Sequence, residues 1–376
     1  MFDAILLASY GGPEGRDDVE PFLDRILSKR PIPPARRTTV VEHYLHFDGV
    51  SPLPGECRQF IASLQNKIAR SRRPLRVYWG NLYAPPFIDD AFEKLERDEI
   101  QNVLVLASSA FGSVAGCRRY IDAVQKAAAK RSPEFVEKLV VKHVPPFFET
   151  PAFHISVADT IRDALATAPK SDENSQRLIL FSAHSIPATD SNASQYRRQL
   201  LSACVEALRR ATTDVPRRVD SDSFPSRPTT FVLPETQTQI PDALRAKLAP
   251  QGLDAALAFQ SRSGSPAIPW IGPDIEELLR DFKAQNPALT SVLVVPIGFF
   301  FDNMETVYDL DVELGATCDE IGVTYDRVPC CGTSDTMVDA ALALALKSPE
   351  EFPICHCCDG ACDLSCRLNP FFLIRR

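Results

Sequence analysis

The chain has 376 residues, 45% hydrophobic and 24% charged, with 41 Lys and Arg against 49 Asp and Glu for a net charge of −8. That length suits two domains or one large α/β unit, and the acidic balance argues against nucleic-acid binding. No run of about 18 apolar residues occurs, so no integral membrane segment is expected; an Asp at position 3 sits where a secretion signal carries Lys or Arg, so a cytoplasmic protein is expected.

Short apolar runs appear in order as "AILLAS", "LRVYWGN", "NVLVLASSA", "KLVVKHV", "RLILFSA", "DAALAFQSR" and "SVLVVPIGFF". Helix-like segments lie between them at 57–70, 86–98, 116–130, 152–168, 194–211, 273–285 and 337–347. This alternation predicts βαβ units, and runs apolar on both faces predict sheets covered on both sides. The expected fold is α/β, with two similar Rossmann-like lobes on parallel sheets and a cleft between them. The expected divisions are 1–150, 151–347 with a Pro- and Thr-rich surface insertion at 212–250, and a Cys-rich tail at 348–376. A faint internal repeat supports two lobes: "ILLASYGGP" (5–13) aligns with "ILFSAHSIP" (179–187), setting Tyr10 opposite His184. Sheets of this kind bind ligands beyond the carboxyl ends of their strands, where both residues fall.

Chemistry concentrates in a few stretches. In "LSKRPIPPARR", Lys29, Arg30, Arg36 and Arg37 gather in one expected loop, which reads either as a solvated surface or as an anchor for an anionic ligand. In "VVPIGFFFDNMETVYDLDVELGATCDE" a strand ends near Phe300, and Asp302 or Asn303 is placed to cap a helix. Glu305, Asp309 and Glu313 then stand four residues apart, sharing one stripe about 12 Å long on an α-helix. Like charges at this spacing repel, and no Lys or Arg lies between Asp302 and Ile321 to offset them. The stripe reads as an acidic solvated face or as a track for a divalent cation or protons. Imidazole and carboxylate together suit a divalent first-row metal, and equally proton abstraction near neutral pH, so His184 and Glu305 form the candidate pair.

"LLASYGGPEGRDDVEPFL", "VEHYLHFDGVSPL", "FSAHSIP", "QSRSGSPAIPWIGPD" and "VPIGFFFDNMETVYDLDVE" together resemble ferrochelatases, in particular the coproporphyrin-type branch of actinobacterial style. The resemblance spans roughly residues 2–345 apart from 212–250. It implies insertion of Fe²⁺ into a tetrapyrrole without ATP, with coproporphyrin III as the expected porphyrin in haem b biosynthesis. His184 and Glu305 match the residues flanking the porphyrin centre, as proton acceptors or metal ligands, and Asp309 and Glu313 match the outer acidic track. Tyr10, Tyr44, Ser51 and Tyr120 match positions near the macrocycle, and Lys29 and Arg30 are expected to pair with its propionates. One departure is Asn303, where many relatives carry His beside the Glu. Transient docking with neighbouring haem-pathway enzymes is also expected.

The tail "CHCCDGACDLSC" packs Cys355, Cys357, Cys358, Cys362 and Cys366 into twelve residues, a density that points to a metal site. Spacing alone allows zinc or iron–sulfur. The family resemblance favours a 2Fe-2S cluster on Cys355, Cys358 and Cys362, with Cys366 in reserve. The body ligand is expected to be Cys117, with Cys330 and Cys331 as the other candidates. Two competing readings are a chelatase for another metal or tetrapyrrole, including protoporphyrin IX, and a haem-binding redox sensor working through the tail.

Overall fold

The computed structural model describes residues 1–28, 32–71, 73–168, 175–190, 192–213, 237–262 and 267–349. The chain divides into two compact units, one made of Met1–Phe147 with the chain from Gly332 onward, the other of Phe148–Cys331.

In the first unit, β1 (Ala4–Ser9), α1 (Arg16–Leu27), α2 (Pro34–His46), α3 (Leu53–Ser71), β2 (Arg76–Asn81), α4 (Ile88–Arg97), β3 (Asn102–Ala107), α5 (Arg119–Ala128), α6 (Pro133–Lys138) and β4 (Val140–His143) follow one another. The strands form one parallel sheet in the order β2-β1-β3-β4. Every residue of β1 is buried, as a central strand covered on both faces requires. Helix α4 shows how the sequence produces this: Ile88, Ala91, Phe92 and Leu95 recur at helical spacing and form one buried stripe. They pack with Ala4, Leu6, Val103 and Val105 of the sheet.

The second unit contains α7 (Pro151–Thr167), β5 (Gln176–His184), α8 (Ala193–Ala211), α9 (Asp242–Leu248), β6 (Leu253–Gln260), α10 (Ile275–Gln285), β7 (Leu289–Val295), α11 (Met304–Val307), a π-helical turn Asp309–Leu314, α12 (Gly315–Glu320) and β8 (Thr324–Arg327). Its parallel sheet runs β6-β5-β7-β8. This is the order of the first sheet element for element, so β1 and β5 hold equivalent places. The nine-residue echo in the sequence is therefore a topological equivalence, with Tyr10 and His184 both at the carboxyl end of the central strand. A last helix, α13 (Asp335–Ala345), belongs to the first unit, where Lys67 of α3 pairs with its Asp335 and Asp339 at 3.2 and 2.7 Å.

The α/β class and the parallel sheets follow the sequence reading, and several local expectations need correction. Arg36 and Arg37 lie on α2 rather than in a loop, and Arg37 pairs with Glu20 and Asp24 of α1. The segment 302–320 is not one α-helix, because a π turn interrupts it. The 212–250 segment is not all surface. Ile240 and Leu248 are buried, and Arg245 of α9 grips Asp254 of β6 through two hydrogen bonds of 2.6 and 2.7 Å. Among the described residues no helix is long and apolar enough to cross a membrane.

Candidate active site

In the second sheet the chain passes from β5 to β6 on one side and returns to β7 on the other. That reversal leaves a crevice outside the carboxyl ends of β5 and β7, where ligands bind in open α/β sheets. His184 is the last residue of β5, and the loop leaving β7 leads to Glu305. Gly298 makes that loop possible: a Cβ there would stand 2.6 Å from the Ala183 Cα, so only glycine lets the chain pass so close to β5. The Gly298 N–H also donates to the Ser182 carbonyl at 3.0 Å.

Asn303 then caps the short helix α11, exchanging hydrogen bonds with Thr306: its Oδ1 accepts from the Thr306 N–H at 3.2 Å, and its own N–H donates to Thr306 Oγ1 at 2.9 Å. Asn303 therefore has a structural use here. Glu305 sits in the first turn, and its carbonyl accepts from Gln260 Nε2 at 2.7 Å. His184 Nδ1 hydrogen-bonds the Ser185 carbonyl, which leaves Nε2 facing Glu305 Oε1 at 3.4 Å. The Tyr196 hydroxyl donates to the His184 carbonyl at 3.3 Å. Burial opposes both charges, but the partner outweighs it in each case. The adjacent Glu305 carboxylate pushes the imidazole up to about 9, and the imidazolium holds Glu305 below the usual carboxylate range.

Asp309 opens the π turn and accepts from the Ser261 hydroxyl, whose residue adopts a left-handed φ of 62° just beyond β6. Burial, aided by the Glu305 and Glu313 charges, pushes Asp309 up to about 7 against that hydrogen bond. Glu313 is raised too, by burial and by Glu276 and Asp274 of the neighbouring α10 segment. The π register shows in the Glu313 N–H, which donates to the Tyr308 carbonyl five residues back. A π turn takes more residues per revolution than an α turn, so its step of four falls short where the α step overshoots. The two offsets oppose one another, and the three carboxylates keep one line. Among the described residues no three His, Cys, Asp or Glu side chains gather into a metal cage. The acids form a file.

The other expected residues separate into groups. Tyr10 and Tyr44 share an aromatic cluster in the first unit, each ring meeting Phe22 at 6.2 and 5.9 Å, and Tyr83 lies 4.7 Å from Tyr10. Ser51 is also buried, its N–H donating to the Pro13 carbonyl at 2.9 Å. Tyr120, expected at the macrocycle, is a core residue of α5 that is 4% exposed, with its hydroxyl on Ser108 Oγ at 3.2 Å. Lys29 and Arg30, like Cys355, Cys358 and Cys362, lie outside the described residues.

Six cysteines fall among the described residues, and five of them, Cys57, Cys204, Cys318, Cys330 and Cys331, are buried with thiols pushed up by desolvation. That disfavours the thiolate a metal needs. Cys117 is the partly exposed one, near the end of a π turn whose Ser113 carbonyl accepts from its thiol at 3.5 Å. Sequence reasoning missed Gln260, Ser261 and Arg327. The Gly/Ser/Pro loop at 261–272 signalled a ligand-contacting region but not which residue turns inward, since the backbone conformation of Ser261 leaves no compositional trace.

The ferrochelatase family model matches residues 2–348. The coproporphyrin III ferrochelatase of Corynebacterium glutamicum is 33% identical over 350 residues, covering 93% of this chain and 84% of that protein. Its counterpart in Mycolicibacterium smegmatis is 34% identical over 327 residues, 87% of this chain and 84% of that one. A ferrochelatase of Rhodopirellula baltica is 32% identical over 345 residues, 91% and 85% of the two chains. With a match spanning both sheets and every motif around the His184–Glu305 pair, the chain belongs to the ferrochelatase family.

Proposed function

We propose that this protein inserts Fe²⁺ into coproporphyrin III, releasing two pyrrole protons and forming the iron porphyrin used in haem synthesis. The observation that carries the reading is the His184–Glu305 pair at the β5/β7 switch point, continued outward by Asp309 and Glu313. The choice of porphyrin follows the Corynebacterium and Mycolicibacterium relatives.

The residues divide the work as follows. His184 takes pyrrole protons through Nε2, because Nδ1 is committed to the Ser185 carbonyl. At neutral pH the resting pair already holds one proton, since Glu305 raises the imidazole. A divalent cation arriving along the acidic file repels that proton and frees the base, so metal entry primes deprotonation. Asp309 titrates near 7 and serves either as an oxygen ligand on the way in or as a proton carrier on the way out. File-like oxygen ligands hold a hydrated ferrous ion weakly, as a substrate that must be passed on requires. Tyr10, Tyr44 and Ser51 are the proposed ring contacts, and Tyr10 follows the end of β1 as His184 closes β5. Lys29 and Arg30 are the proposed propionate partners.

The tail is proposed to carry a 2Fe-2S cluster held by Cys355, Cys358 and Cys362 with Cys117. Cys117 fits because it is only partly buried, whereas the other five cysteines in the described residues are buried. Such a cluster tethers the tail to the body and makes its attachment sensitive to oxidation.

Anaerobic Fe²⁺ insertion into coproporphyrin III and protoporphyrin IX, followed by porphyrin absorbance, tests the function. Faster turnover of coproporphyrin III supports it. Preference for protoporphyrin IX overturns the substrate assignment, and failure with both overturns the activity.

A further inference from the structure

Five carboxylates, Asp302, Glu305, Asp309, Asp311 and Glu313, crowd twelve consecutive residues that contain no cation. The compensating charge comes from the edge strand β8. Arg327 Nη1 donates to Asp302 Oδ1 at 2.7 Å, while Nε and Nη2 grip Asp311 Oδ1 and Oδ2 at 2.7 and 2.9 Å. The same Nη1 reaches the Val328 carbonyl at 3.3 Å. The Tyr325 hydroxyl donates to Asp311 Oδ1 at 2.8 Å, and the Cys330 N–H and thiol donate to Asp302 at 3.3 and 3.4 Å. The Arg327 and Asp302 side chains are only 13% and 11% exposed, so water competes weakly for these contacts. Asp302 immediately precedes the Asn303 cap, and Asp311 lies within the π turn. The guanidinium therefore ties together the two ends of the stretch that carries Glu305 and Asp309.

We propose that Arg327 is a positioning residue for metal insertion, holding Asp302 and Asp311 so that Glu305 faces His184 and Asp309 meets Ser261. It also neutralises the two acids that do not belong to the file, leaving the file to repel only itself. A lysine cannot substitute, because one ammonium does not span a bidentate contact and a second carboxylate together. The inference rests on the metal-insertion reading above, and its test includes a readout independent of activity.

Two variants probe it. Arg327→Lys keeps the charge and loses the fork, and Asp311→Asn weakens one arm should the first fold poorly. Three quantities are measured: kcat/KM for Fe²⁺ with coproporphyrin III, binding of coproporphyrin III by absorbance, and hydrogen exchange over 304–314. The expected result is a fall of about 10–100-fold in kcat/KM for the metal, unchanged porphyrin binding, and faster exchange confined to 304–314. Unchanged metal kinetics with unchanged exchange overturns the proposal. Metal kinetics and porphyrin binding declining together, with exchange raised across β5 to β7, overturns it as well, since that marks a merely structural residue. If the wild-type protein inserts no iron, the functional reading fails, and the exchange comparison still decides whether Arg327 pins the stretch.

Discussion

Replacing Glu305 by Gln isolates the strongest electrostatic coupling in the site. Burial alone lowers the His184 pKa, and the Glu305 charge, 3.4 Å from Nε2, is the main influence that pushes it up to about 9. Without that charge the imidazole falls to its ordinary value of about 6.5 or lower. A difference of about 2.5 pH units is worth about 3.4 kcal/mol at about 1.36 kcal/mol per unit. Because the Glu305 side chain is 46% exposed, solvent screens the pair and the measured coupling is expected at about 1–2 kcal/mol. The sign follows from linkage: a histidine raised by its partner stabilises the fold fully below about 6.5 and loses that contribution as pH rises through about 9. Glu305→Gln is therefore less stable than wild type at pH 6 and nearly equal to it at pH 10. The assay is NMR titration of the His184 ring, assigned by its absence in His184→Ala, alongside urea unfolding at both pH values. A His184 pKa still near 9 in Glu305→Gln, or an equal loss of stability at both pH values, refutes the coupling.

Asp309→Asn removes a carboxyl whose ionisation burial opposes. A carboxyl raised to about 7 costs the fold increasingly as pH climbs from about 4 through 7. The variant is expected to be more stable than wild type by about 1 kcal/mol at pH 8 and equal to it at pH 3, with a raised KM for Fe²⁺; urea midpoints and metal-dependent rates check both. Anaerobically purified full-length protein is expected to be brown with the absorption of a 2Fe-2S cluster, and Cys117→Ser to lose most of it. A colourless, zinc-loaded protein refutes the cluster.

How much the sequence disclosed depends on the physical signal behind each element. Seven of the eight strands read correctly: the runs of β1, β3, β5, β6 and β7 are largely apolar and buried, and the edge strands β2 and β4, though half-exposed, keep short runs of β-branched and aromatic residues. The eighth, "TYDR", is a four-residue edge strand alternating exposed and half-buried residues, and it carries no such run. The π turn was invisible because Leu310, Leu314 and Cys318, all fully buried, repeat every four residues, a spacing that suits α and π turns alike. His184 and Glu305 were legible through strand-end position and carboxylate spacing. The sequence posed the charge problem of the acidic segment without its solution, because Arg327 lies sixteen residues beyond Asp311 on another element. Nor did the sequence disclose the partner of Tyr120, whose hydroxyl meets Ser108 Oγ within the core.

The most direct test of the account compares wild type with His184→Ala in a single-turnover anaerobic reaction, with coproporphyrin III bound first and Fe²⁺ added second. The Ala variant removes a half-buried side chain from a strand end, so the fold and porphyrin binding are expected to persist. Its rate of metal insertion is expected to fall by about 10²–10⁴-fold, the usual contribution of a positioned general base. Insertion at a near-wild-type rate by a folded, porphyrin-bound His184→Ala protein contradicts the claim that this imidazole takes the pyrrole protons.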